Sequence, residues 1–96
     1  METKEFTEER KRKAAVAIEY IPGSFAPKIV AKGKGVVAEN ILSKGKEHNI
    51  KTYQDKDLVK DLLNTDIGNY IPQELYYAVA QVLVFINELD KRKGAL

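Results

Sequence analysis

The 96-residue sequence contains no cysteine and a single histidine, His48. The lack of cysteine excludes disulfides and thiolate metal sites and makes a reducing cytoplasm the expected compartment. With one histidine and no thiol, a zinc site is argued against strongly. A hydrolytic triad also lacks its base, because His48 stands beside Asn49 at an expected helix end, where a cation simply complements the helix dipole. No apolar run approaches the roughly 18 residues that a membrane span needs. The charged start METKEFTEERKRK has no hydrophobic segment behind it, so a signal peptide is not expected either. Around Gly33-Lys34-Gly35 neither the spacing nor the hydroxyl of a Walker loop is present, and G-x-G-x-x-G does not occur. Those glycines read as a tight strand-to-helix turn. The acid pairs Asp55/Asp57 and Glu8/Glu9 lack a partner that would set up proton transfer. The expectation is a protein that is not an enzyme and takes no cofactor or metal.

What is present suits a small folded domain. A hydrophobic content of 44% with 31% charged residues is too apolar for a disordered chain and ordinary for a globular one. A net charge of +2 is too small to imply nucleic acid by itself. Its distribution says more: residues 28–60 carry eight lysines against four acids, whereas 61–90 carry five acids and no base. A domain with a basic and an acidic side favours oriented docking with a protein partner.

Along the chain, residues 1–13 are polar and read as a frayed helix or a disordered arm. Ala14 to Tyr20 is a short apolar run bounded by charge and by Pro22-Gly23, which predicts a buried strand. Lys28 to Lys32 predicts a second strand, ended by Gly33 and Gly35. From Val36 the period lengthens, and Val37, Ala38, Ile41 and Leu42 share a helical face that runs out near His48-Asn49. Gly45 within it predicts an early end or close packing. Ile50 to Tyr53 is a third, short strand. Asp55 is placed to cap a helix carrying Leu58, Val59, Leu62 and Leu63. Thr65 to Tyr70 is a turn, and Pro72 opens a last helix that reaches about Lys91. These elements predict an α/β fold, a single-domain sandwich of a small mixed sheet of about three strands packed with three helices. Strands two and three should join through a right-handed parallel crossover.

The last helix carries the core stripe Leu75, Val79, Val82, Phe85, Ile86 and Leu89. Its opposite face, Tyr77, Gln81, Val84 and Glu88, places apolar residues where water is expected, which reads either as a contact patch or as the single exposed apolar residues common on any surface.

Several segments together resemble one family. Ala15-Val16-Ala17-Ile18-Glu19-Tyr20 and Ala26-Pro27-Lys28-Ile29-Val30-Ala31-Lys32-Gly33 resemble two blocks of the FlhB/YscU type III export-switch family. Glu47-His48-Asn49-Ile50 resembles the end of the following helix and the next strand of that family. Ile67-Gly68, Ile71-Pro72-Gln73-Glu74-Leu75-Tyr76, Ala78-Val79-Ala80 and Val82-Leu83 resemble its IG-x-x-IP-x-EL-Y-x-AVA-x-VL block. The resemblance runs through residues 14–92 and is to the cytoplasmic C-terminal domain. In that family the domain hangs below a membrane anchor, contacts export components and substrates, and switches substrate class alongside self-cleavage at an Asn-Pro-Thr-His motif.

This chain departs from the family at that motif, where Arg10, Lys11, Arg12 and Lys13 stand. Arginine offers no carboxamide to cyclise, so self-cleavage is not expected. The chain resembles the fragment left after cleavage, as a separate protein without the anchor. The resemblance implies a soluble accessory or adaptor domain of flagellar type III protein export. Its expected location is the cytoplasm, with recruitment to the membrane export gate. Expected partners are flagellar export-apparatus proteins or a full-length FlhB relative, and export substrates. The strand at 14–20 is expected either to have an open edge, guarded by Arg10 to Lys13, that accepts a partner strand, or to have that edge covered by the N-terminal arm. The expected partner-binding residues are Val16 and Ile18 on that strand, Lys28, Lys32 and Lys34 on the next, and Tyr77, Gln81 and Val84 on the last helix. The second reading is a small nucleic-acid- or ribosome-associated binder using the lysines of 28–60.

Overall fold

The run Ala14-Ala15-Val16-Ala17-Ile18 is small or β-branched at every position, and the fold is organised around the strand it forms. The computed structural model describes residues 2–5 and 13–94, with side chains from Lys13 to Ile86. The elements among these residues, in chain order, are β1 (Glu2–Glu5), β2 (Ala14–Glu19), β3 (Lys28–Lys34), α1 (Val36–Glu47), β4 (Thr52–Tyr53), α2 (Lys56–Leu62) and α3 (Tyr76–Gly94). A 3-10 turn, Gln73–Leu75, leads into α3. The sheet order is β3-β2-β1-β4. β2 is antiparallel to both its neighbours, and β1 is parallel to β4. The mixed α/β class is the expected one, with one strand more than the sequence announces.

That extra strand corrects the reading of the N-terminal arm. Residues 2–5 are not frayed: Glu2 pairs with Ala17 and Glu5 with Ala14, and Glu2 also stands opposite Thr52 of β4. Residues 6–12 lie outside the described residues. A Glu-Thr-Lys-Glu segment has no hydrophobic alternation, so its strand character comes from the backbone groups that β2 offers and not from its own pattern. The expected parallel connection is present but spans the sheet. β3 and β4 point the same way, but β2 and β1 lie between them, because the N-terminal strand occupies the place beside β4.

The two faces of β2 differ in side-chain size, and this sorts the helices. Ala14, Val16 and Ile18 point into a core with Ile29, Leu58, Val59, Leu62, Ile71, Val79 and Val82, so α2 and α3 cover that face. Ala15 and Ala17 point the other way, paired with Gly33 and Ala31 of β3. On this small-residue face α1 approaches closely and buries Ala38 and Gly45. The sheet is thus a middle layer between α1 and the α2–α3 pair.

The chain ends of the helices are set locally. Gly35 precedes α1 with φ 59 and ψ −126, a conformation that glycine reaches without steric cost. At the other end Asn49 is left-handed, with φ 57. The Ile50 amide donates to Gly45 O at 2.9 Å and the Asn49 amide to Lys46 O at 3.2 Å, a Schellman closure that satisfies two terminal carbonyls. The Asp55 carboxylate accepts from the Leu58 amide at 3.1 Å and starts α2, as its position in the sequence predicts.

Candidate functional site

The expected site residues fall into three groups. Val16 and Ile18 are buried in the core, and β2 is paired on both sides. Of the two expected states of the 14–20 edge, the open one is overturned and the one covered by the N-terminal arm is found: the N-terminal strand fills the place that a partner strand would take. Arg10, Lys11 and Arg12 lie outside the described residues, while Lys13 is ion-paired to Glu39 at 3.3 Å. The lysines of β3 do different things. The Lys28 ammonium sits 5.0 Å from the centre of the Tyr70 ring. Lys32 Nζ donates to Leu63 O at 2.9 Å, at the carbonyl end of α2 where a cation is favoured. Lys34 is exposed.

Tyr77, Gln81 and Val84 stand together as expected on the outer face of α3. Tyr77 is 76% exposed and Val84 61%, and Gln81 Nε2 donates to Tyr77 Oη at 2.7 Å. That bond holds two adjacent turns of the helix in one arrangement. Beside this ridge lies an apolar cleft of about 350 Å³ between α3 and the loop that joins β2 to β3. Its floor is Ala26, Ile71 and Val79, all buried, and Tyr20, Phe25 and Val84 stand at its rim.

Sequence reasoning missed the loop side of this cleft. Phe25 is 77% exposed and lies edge-to-face with Tyr70, their ring centres 5.2 Å apart. Its position is set by the turn Ile21-Pro22-Gly23-Ser24, closed by the Ser24 amide donating to Ile21 O at 2.9 Å. Gly23 has φ 87, as the third residue of a type II turn requires, and Pro22 supplies the fixed φ before it. A large aromatic inside a turn-rich loop, with no periodic partner, was the available signal. On the far side of the Ala80–Val84 ridge a second, more open cleft of about 570 Å³ is walled by Tyr53 and Phe85. These rings meet edge-to-face at 5.3 Å. Phe85, expected in the core stripe, is instead 47% exposed at this wall.

The site offers apolar surface, aromatic rims and one fixed amide–phenol pair. No group of three or more histidine, aspartate or glutamate side chains is placed to hold a metal ion among the described residues. None of their helices is long and apolar enough to cross a membrane. The arrangement suits shape recognition of an apolar segment.

A family model described as FlhB HrpN YscU SpaS matches residues 12–86. The chain belongs to this family. The FlhB HrpN YscU SpaS match takes in β2, β3, both clefts and most of the core. The flagellar biosynthetic protein FlhB of Yersinia enterocolitica is 41% identical over 86 residues, which cover 85% of this chain and 22% of that protein. The chain therefore spans about a fifth of the length of such FlhB relatives. A shorter relative, the uncharacterized protein YlqH of Bacillus subtilis, is 37% identical over 66 residues, covering 69% of this chain and 71% of YlqH. Among solved structures, the cytoplasmic domain of FlhB from Shewanella putrefaciens superposes with a TM-score of 0.87 at 28% identity, over 98% of this chain and 74% of that one. The EscU C-terminal domain superposes with a TM-score of 0.72 at 26% identity, over 75% of this chain and 68% of that one. The resemblance read from the sequence is thus a family relationship, and the fold is that of the cytoplasmic export-switch domain.

Proposed function

We propose that this chain is a docking domain of flagellar type III export, an accessory or adaptor that stands in for, or competes with, the cytoplasmic domain of a full-length relative. The observation that carries the reading is the apolar cleft between the Tyr20–Pro27 loop and α3, carried on the fold of the FlhB cytoplasmic domain. Burying one aliphatic side chain there would contribute roughly 1.5–3 kcal/mol. That is about a tenfold to hundredfold gain in affinity, enough to select an export substrate or gate protein without chemistry. The domain works in the cytoplasm and is recruited to the membrane export gate through its partner. It does not cleave itself, since Arg10 stands where the family's asparagine would attack its own carbonyl. The nucleic-acid reading finds no support in the family match.

The test is complementation. The chain is expressed in a flagellated cell whose FlhB lacks its post-cleavage fragment, and motility is scored beside a Val84→Glu variant. Val84 is mostly exposed, so the variant should keep its stability within about 0.5 kcal/mol. Recovery of motility by the wild-type chain and its loss with Val84→Glu are expected. Folded, expressed protein that restores nothing would remove the export role, and full motility with Val84→Glu would remove the cleft from it.

A further inference from the structure

A second surface, apart from the α3 clefts, is the outer edge of β3. β3 is one end of the sheet, and hydrogen-bond parity along it shows which backbone groups face outward. The Gly35 amide donates to Lys13 O at 2.9 Å, which makes Lys13–Gly35 a bonded pair. In an antiparallel ladder bonded pairs alternate with non-bonded ones. With Ala14 opposite Lys34 and Val16 opposite Lys32, both lysines then turn their N–H and C=O groups away from β2. The register shift at Ala17/Ile18 inserts Val30 as an extra residue, after which Ile29 and Pro27 face outward.

The two halves of this edge are treated differently. Ile29 is bonded from outside, its amide donating to Asn69 O at 3.0 Å and its carbonyl accepting from Gly68 N at 2.7 Å. Pro27 O accepts from Ile71 N at 2.9 Å. The first half has thus already taken on an extended segment. Along the second half, the outward backbone groups of Lys32 and Lys34 have no backbone partner among the described residues. Val30, 47% exposed, and Lys34 flank this open stretch.

Charge names the occupant. Between Glu19 and Glu39 the sequence has no acid, and its bases are Lys28, Lys32 and Lys34, all on β3. A second copy pairing edge to edge would set these lysines against one another, which is unfavourable. We infer that the Val30–Lys34 edge of β3 accepts an extended acidic segment of a partner protein as an added strand, with a carboxylate beside Lys34 and main-chain bonds to Lys32 and Lys34. This surface is independent of the α3 cleft.

The probes are two capped hexapeptides, one alternating glutamate and valine and one alternating lysine and valine, titrated into the full chain and followed by amide NMR shifts and hydrogen exchange. The acidic peptide should shift and protect the amides of Lys32 and Lys34. Raising the salt to 0.5 M should weaken its binding several-fold, since the charges are exposed. The Lys34→Glu variant should weaken it several-fold. Lys34→Pro removes an outward N–H that β2 does not use and should weaken it several-fold. The assignment is overturned by equal binding of the two peptides, by no response at Lys32 and Lys34, or by shifts confined to Ala80 and Leu83. It is also overturned if single-stranded DNA moves the same amides more tightly than the acidic peptide does.

Discussion

Replacing Gly33 by alanine should destabilise the domain, and the structure says both by how much and through which residue. A Cβ at this position would lie 2.7 Å from Val37 Cβ and closer still to Val37 Cγ1. Rotating Val37 can move its methyls but not its Cβ, and β-branched side chains in helices hold one χ1 strongly. Relief therefore needs roughly a 1 Å retreat of α1 from β3 to restore ordinary contact. Only Gly35 separates the two elements, so little chain is available to absorb that retreat. Overpacking of this kind costs about 1–3 kcal/mol, partly offset by about 0.4–1 kcal/mol from the stiffer unfolded chain. The net loss should be about 1–2 kcal/mol, or a fall in Tm of roughly 5–15 °C for a domain of this size. Val37 is 51% exposed, so Val37→Ala alone should be nearly neutral, within about 0.5 kcal/mol. Combined with Gly33→Ala it removes the Cγ1 contact but keeps the Cβ contact, so it should restore only part of the loss, a coupling of about 0.5 kcal/mol or more in a double-mutant cycle. Urea denaturation followed by circular dichroism reads all four proteins. A Gly33→Ala protein as stable as the parent, or a deficit that Val37→Ala leaves untouched, would refute the packing argument.

Asp55→Ala removes the carboxylate that caps α2 and should cost about 1 kcal/mol, while Asp55→Asn should keep most of it; thermal melts separate the two. Leu62, fully buried between α2 and the sheet, should cost about 2–5 kcal/mol on change to alanine, measured by the same denaturation with an unchanged m-value.

The elements whose pattern is carried by their own residues were legible in advance. Val16 and Ile18 alternate with alanines, Leu58, Val59 and Leu62 repeat at helical spacing, and Asp55 and Pro72 stand where α2 and the turn into α3 begin. The outer triad Tyr77, Gln81 and Val84 was legible for the same reason, since residues three and four apart share a helix face. β1 was not, because Glu2 to Glu5 form a strand only when β2 and β4 present backbone groups on either side. The wall of the cleft was equally hidden. Phe25 meets α3 across more than fifty residues of sequence, and no local period records that distance.

The sequence by itself therefore determined the family, the mixed α/β class and the helix starts. Each of these is written in residue types and spacings that act over a few neighbours. Only the tertiary structure decided that β2 is central, that Val16 and Ile18 are core, and that β3 and β4 form the edges of the sheet. Strand order depends on which backbone donors and acceptors meet across the sheet, and every residue type other than proline carries the same pair of them.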